Sequence, residues 1–345
     1  MVTVNGSAPA TATTDGFAGT MEYTGKAKEI VEAYGRTSLD FFKLWPPKPF
    51  FFSKDNRCFI AYQTALRVAI GLGDPVGPDD QLESATREFL RLCSNRGWKA
   101  AFYQALPEVL AMYRKVGLHV LKLGEEAVVD VEHYCSVTAE TKSFRYIRHR
   151  FQRDGYRLAR QVPPQPEGLL DEARVVSDQW LALPGRREHG FALGRFDKGY
   201  LRDMPLYLLR DSTGLLAAFV NEIPDYRKGE AAVDMMRHRP EIPNSTMEYL
   251  FDGVLHDLKE RGYRGLSLGL VPFSGLCQSK CANLEERLVS QIYEHANRFF
   301  SFKGLHRFKA KFEPAWEERF LIYEDGLLGL VRTILAQMRV TNSAD

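Results

Sequence analysis

The spacing of apolar and polar positions divides the chain into two similar runs of elements. The stretch KAKEIVEAYG, 26–35, is a short amphipathic helix that Gly35 stops. PFFFSKDNRCFIAYQTALRVAIGLGDPVGP, 49–78, reads as strand, turn, strand, strand and a Gly/Pro turn. A helix over 80–97, a strand over 99–106, a helix over 107–117 with Pro107 in its first turn and a strand over 124–134 follow. The segment 142–160 is a basic helix, and QVPPQPEG, 161–168, is the best linker candidate. The second run predicts a helix over 169–183, a hairpin over 206–224 and a strand over 230–240. A helix over 244–262 comes next, with Asn244 or Ser245 placed to cap it. A strand over 263–272 and a helix over 283–300 continue the run. In FKGLHRFKAKFEPAWEERFLIY, 302–323, period two puts Phe308, Ala310 and Phe312 on one face and Arg307, Lys309 and Lys311 on the other. That predicts a closing strand with three cations in a row.

Both runs go strands, helix, strand, helix, strand. This order resembles the acetyltransferase-like (GNAT) fold used twice, an α/β architecture. The expected units are a disordered tail over 1–20, domains over 21–160 and 161–325, and an amphipathic helix and tail over 326–345. That terminal helix carries a wide stripe of Leu327, Leu328, Leu330, Val331, Ile334, Leu335 and Met338. It either docks on its own domain or lies in a lipid interface.

Composition narrows the classes. In 345 residues, 45% hydrophobic and 26% charged content reads as globular. Lys+Arg of 46 against Asp+Glu of 44 predicts no partner by net charge, so any such signal must be local. The five cysteines are scattered and odd in number, and no leader precedes them, which predicts reduced thiols in a cytosol. Cys277 and Cys281 lack further ligands, so no metal site is expected. No apolar run reaches the ~20 residues that span a bilayer.

Familiar catalytic signatures are missing: no G-x-S-x-G elbow, no Walker loop, no H-E-x-x-H. The turn that holds coenzyme A pyrophosphate in acetyltransferases has two near misses, RKVGLH from Arg114 and QRDGYR from Gln152. Each carries a large side chain where a small one belongs. Asp234 and Arg237, three apart at a predicted strand end, are either reactive groups or a local ion pair. The basic helix, with Phe144, Tyr146 and Phe151 among its cations, suits an RNA backbone or anionic lipid, or is a solvated face.

Eight stretches in order carry a closer resemblance: FFFSKDNRCFIAY, GLGDPVGP, AFYQ, LKLGEEAVVDVE, GFALGRFDKGYL, EAAVDMMRHRPEIPNSTMEYLF, LSLGLVPFSGL and FFSFKGLHRFKAKFEPAWEERFLIY. The chain is similar over about 22–323 to the soluble catalytic domain of the aminoacyl-phosphatidylglycerol synthase (multiple peptide resistance factor) family. The resemblance implies transfer of an aminoacyl group, lysyl or alanyl, from aminoacyl-tRNA to phosphatidylglycerol, changing membrane charge and resistance to cationic peptides. It implies no cofactor and no metal, a chain peripheral to the inner membrane face, and catalytic roles for Asp234, Arg237 and Lys309. Substrate contacts are expected from Lys311, Arg307, Asn244 and Ser274, and a tRNA or lipid surface from Arg145, Arg148, Arg153 and Arg157. The family's membrane-spanning part has no counterpart here, so the expectation is a standalone cytosolic form or a piece of a longer chain. A coenzyme A-dependent acyltransferase and a non-catalytic RNA- or lipid-binding module are the alternatives. Oligomeric state is left open.

Overall fold

Most of the expected helices and strands form, each burying one face, although the end of the strand expected over 124–134 is helix from Val131. A computed structural model describes residues 21–46, 48–275 and 302–342. The expected tail over 1–20, the helix over 283–300, and Cys277 and Cys281 lie outside the described residues. The first run gives α1 (Met21–Tyr34), α2 (Leu39–Leu44), β1 (Phe50–Phe52), β2 (Phe59–Ala65), β3 (Val68–Leu72), α3 (Leu82–Asn95), β4 (Lys99–Ala105), α4 (Leu110–Lys115), β5 (His119–Asp130), α5 (Val131–Ser136) and α6 (Lys142–Arg153). The second gives β6 (Arg157–Gln161), α7 (Glu167–Leu181), α8 (Lys198–Arg202), β7 (Leu206–Arg210), β8 (Leu216–Pro224), β9 (Glu230–His238), α9 (Thr246–Glu260), β10 (Gly265–Pro272), α10 (Phe302–Ala310), β11 (Ala315–Tyr323) and α11 (Gly326–Asn342).

The eleven strands among the described residues join one sheet in the order β1-β2-β3-β4-β11-β5-β10-β9-β8-β7-β6. Two neighbouring pairs are parallel, β3 with β4 and β9 with β10. The remaining pairs are antiparallel, and β11 enters the first run's sheet between β4 and β5. In return β5 pairs with β10 of the second run. Each run therefore completes the other's sheet, and the middle of the sheet belongs to both.

Helices cover both faces. On one, α5, α6, α9 and α10, with the turn after α10, bury Tyr134, Phe144, Phe151, Leu250, Phe251, Val254 and Phe312 against Ala127, Val220 and Leu266. On the other, α2, α7, α8 and α11 bury Phe42, Leu170, Val176, Leu201 and Ala336 against Ile70, Leu208, Phe219 and Met235. A third cluster sets Phe89, Cys93 and Tyr113 of α3 and α4 on Ile60, Ala100 and Phe102.

Five further expectations are corrected. The stretch expected to begin the closing strand is helix α10, and the strand starts only at Ala315. Phe308 and Lys309 lie on its inward side, with Phe312 buried in the turn just after it, and the lysine among them hides the helical period. The basic helix ends at Arg153, with Gly155 (φ 80°) closing it, and Arg157 and Arg160 stand on β6. The proposed linker joins β6 to α7 and is tied down: Gln165 is buried, its amide bonded to the carbonyls of Gln161 and Met204. The division at 160/161 falls inside β6. At the start of α9, Ser245 takes a left-handed φ of 71° with no side-chain cap, and exposed Asn244 makes none either.

Candidate functional site

The second parallel pair parts early. β9 and β10 are in register only from Glu230–Gly265 to Ala232–Ser267; beyond that β9 follows β8 and β10 follows β5. Such a divergence opens a gap in the middle of a sheet, and both strands are irregular at its mouth. On β10 the register shifts between Ser267 and Leu270, where Gly269 has a φ of 81°. On β9 the register with β8 shifts between Val220–Met236 and Glu222–Val233, so Asn221 faces both Asp234 and Met235. This is a β-bulge, one extra residue on β9.

The bulge explains how residues three apart work together. On a regular strand Asp234 and Arg237 would point to opposite faces. With one residue added, both lie toward α7 and α8. Gly194 N donates to Asp234 Oδ1 at 2.9 Å, and the Tyr200 hydroxyl donates to Oδ2 at 2.8 Å. A Cβ on Gly194 would collide with that carboxylate, so this close approach requires glycine. Burial pushes the Asp234 carboxyl up, against the pull of these hydrogen bonds and of Arg237. Arg237 is 6% exposed and lies over the Trp180 ring, 3.9 Å from its centroid. It reaches Glu188 Oε1 at 3.4 Å, while its Nε is buried without a hydrogen-bond partner. Asp234 and Arg237 thus share a face but do not form the local ion pair; Glu188 takes that place.

Lys309 comes to the gap from the other side. It is 2% exposed, and its Nζ donates to the carbonyls of Gly269 at 2.8 Å and Leu270 at 3.1 Å, which the irregular turn of β10 leaves free. Burial pushes its ammonium down to about 7, partly opposed by the charge of Glu126. A neutral amine has two hydrogens, enough for the two carbonyls, and keeps a lone pair; an ammonium would bury a third, unmatched donor. Glu126 is itself held by Ser267 and Arg319, and Gly269 N donates to Ser267 Oγ at 3.1 Å. Among the described residues no hydrogen bond or ion pair joins Lys309 to Asp234 or Arg237.

The corresponding end of the first parallel pair, β3 with β4, carries a buried polar cluster beside a small cavity. Lys43 donates to the Asp74 carbonyl and pairs with Asp40 at 2.6 Å. The Asp74 carboxylate accepts from Leu106 N and the Tyr113 hydroxyl. Among the described residues no group of three or more His, Cys, Asp or Glu side chains converges for a metal. The near-miss coenzyme A turns sit at helix ends rather than starts: Gly117 follows α4 and Gly155 follows α6.

A family model described as phosphatidylglycerol lysyltransferase, C-terminal, matches residues 28–323. The chain belongs to this family. A phosphatidylglycerol lysyltransferase of Staphylococcus epidermidis is 32% identical over 311 residues, 90% of this chain and 37% of the relative. One from Bacillus subtilis is 32% identical over 289 residues, 84% of this chain and 34% of the relative. The chain thus spans about a third of these relatives' length. The solved structure of L-PGS from Bacillus licheniformis superposes with a TM-score of 0.81 at 32% identity, covering 94% of this chain and 97% of that one. FemX, at 8% identity and a TM-score of 0.56, shares the fold.

Within this lysyltransferase-family fold the other expected residues scatter. Exposed Lys311 pairs with Glu248 of α9. Arg307 is exposed, without an ion pair among the described residues. Ser274 donates to Glu125 at 2.6 Å. Asn244 is exposed in the loop after β9, its carbonyl 3.5 Å from Arg150. Of the basic surface, Arg148 is committed to Asp252, which is 3% exposed, through two bonds of 3.0 Å, and Arg153 to Asp154. Arg145 and Arg157 are exposed. Periodicity could not find Asn221, Tyr200, Gly194, Glu188 or Trp180. The usable signal was an asparagine inside the apolar strand LAAFVNEIP.

Proposed function

We propose that this chain transfers an aminoacyl group, lysyl in the first instance, from aminoacyl-tRNA to a glycerol hydroxyl of phosphatidylglycerol. What supports the reading is a buried, neutral-leaning Lys309 on the irregular turn of β10, with Asp234 and Arg237 on the bulge of the neighbouring β9, in a chain of the lysyltransferase family. The lipid hydroxyl gives its proton to the Lys309 amine as its oxygen attacks the ester carbonyl. The new ester C–O bond forms, the bond to the ribose breaks, and Lys309 returns the proton to the ribose oxygen. Burial near neutrality suits Lys309 to this shuttle better than to a fixed countercharge. Arg237, with a free buried N–H, holds the lipid phosphate or the developing oxyanion. Asp234 takes the aminoacyl ammonium.

The donor's RNA meets the α6 side, where Lys142, Arg145 and Arg157 are exposed and Tyr146 is 67% exposed. The lipid is met at a membrane surface. No helix among the described residues is long and apolar enough to cross a membrane. Helix α11 docks on the sheet through Leu330, Thr333, Ala336 and Val340 and leaves Leu328, Leu335 and Met338 outward beside Arg339.

The test is to incubate the chain with tRNA charged with one labelled amino acid at a time and phosphatidylglycerol vesicles, then count label in the lipid extract. Label from lysyl-tRNA is expected. Label from no charged tRNA, with the chain folded, would overturn the proposal.

A further inference from the structure

Asn221 is fully buried, amid the apolar residues of β8, in contact with the bulge that aims Asp234 and Arg237. Its two ends are chemically different, and its surroundings decide which end goes where. The Met235 backbone N–H can only donate, so the atom facing it at 2.8 Å is Oδ1. Nδ2 then faces the Tyr200 oxygen, also at 2.8 Å, and must donate to it. A tyrosine hydroxyl receiving that bond has one proton left to place, and 2.8 Å away lies Asp234 Oδ2. The backbone N–H of the bulge therefore sets the direction of every bond in the line Met235, Asn221, Tyr200, Asp234.

We infer that Asn221 is the positioning residue of this site: it holds the bulge open and, through Tyr200, keeps Asp234 a hydrogen-bond acceptor at the mouth of the gap. The inference rests on the transfer reaction proposed above for what Asp234 accepts. Both oxygens of Asp234 accept, from Gly194 N and from Tyr200, so the group is prepared to receive a cation and not to donate. Tyr200 is itself fixed by stacking on Trp45, ring centroids 4.1 Å apart, so the hydroxyl cannot swing away. The charged and titratable groups that face Asp234 are Tyr200 from α8, Glu188 from the loop after α7, and Arg237 on β9 itself. Asn221, from β8, contributes polarity without charge, so Arg237 is left as the cation of the set.

The substitution Asn221→Asp separates polarity from shape. It is isosteric, and one oxygen still accepts from Met235 N–H, so the bulge keeps its partner. The other end can no longer donate to Tyr200, so it competes with Asp234 for the single tyrosine proton, and its charge raises the Asp234 pKa. The expected result is a loss of about tenfold in kcat, the size of one hydrogen bond to a charged group. The acid limb of the pH–rate profile should move to higher pH, and the charge buried at this fully enclosed position should lower the melting temperature, so rates are compared at a temperature where both proteins are folded. Tyr200→Phe should cost a similar factor, and the double variant less than the product of the two. A slower N221D enzyme with an unmoved pH profile, or losses that multiply in full, would make Asn221 merely structural and overturn the inference. Wild-type protein that transfers nothing would instead defeat the proposed function. A carbon NMR titration of the Asp234 carboxyl, assigned with Asp234→Asn, then decides alone: a pKa raised in N221D supports the inference and an unchanged one overturns it.

Discussion

Replacing Lys309 by methionine removes an amine that the fold holds in its neutral form. The side chain is 2% exposed, meets only two backbone carbonyls, and has its pKa pushed from 10.5 to about 7. A displacement of that size means that folding disfavours the ammonium against the amine by roughly 5 kcal/mol relative to the unfolded chain. Between about pH 7 and 10.5 the unfolded chain keeps a proton on Lys309 that the folded chain has released. The unfolded state then binds more protons, so this lysine's contribution to stability rises with pH, by up to about 1.4 kcal/mol per pH unit. Below about 7 both states are protonated and the contribution is flat. Urea unfolding of the wild type and of Lys309→Met at matched pH isolates this effect, because buried Lys48, also pushed down to about 7, is common to both. From pH 7.5 to 9 the wild type should gain about 2 kcal/mol on the variant. A difference that stays constant across this range would refute a neutral Lys309, and with it the proton-shuttle role.

Four further outcomes are expected. Gly194→Ala should leave the fold cooperative yet cut transfer by about tenfold or more, measured as kcat on lysyl-tRNA, because the new methyl occupies the Asp234 carboxylate's place. Arg148→Ala should lower unfolding free energy by about 3 kcal/mol, since it strands the carboxylate of Asp252, whereas Arg145→Ala should leave urea unfolding unchanged and weaken tRNA binding with a shallower salt dependence. Leu328→Glu with Leu335→Glu should lower sedimentation with anionic vesicles at unchanged melting temperature; removing the whole of α11 would instead uncover Leu330 and Ala336 and destabilise the sheet. Residues 21–160 produced alone should fail to unfold cooperatively in circular dichroism, because β11 is missing between β4 and β5.

Most elements were legible because their apolar spacing is clean and Gly or Pro marks their ends. β2 and β3 and helix α3 read directly from the chain, as did the hairpin of β7 and β8. The exchange of β5 and β11 was not legible, since nothing in strand periodicity names a neighbour. Helix α10 was misread because Lys309 occupies an inward position where the pattern needs an apolar residue, so this buried lysine erased the helical signal. For α11 the apolar stripe is split: Leu330 packs inward with small and polar Gly329, Thr333 and Ala336, where the sheet lies close, while Leu328 is 85% exposed. Asp234 and Arg237 stood out by their motif, but a spacing of three on a strand argues against a shared face. The bulge at Asn221 supplies the missing residue, and bulges leave little trace in composition.

The measurement that bears most directly on the proposed reaction is the molar balance of a single incubation of radiolabelled lysyl-tRNA, phosphatidylglycerol vesicles and the folded chain. Loss of label from tRNA and its gain in lysyl lipid, identified by mass, should match mole for mole, and both should stop in Lys309→Met. Label released as free lysine without a lipid product, or no release above the uncatalysed rate, would contradict aminoacyl transfer to this lipid.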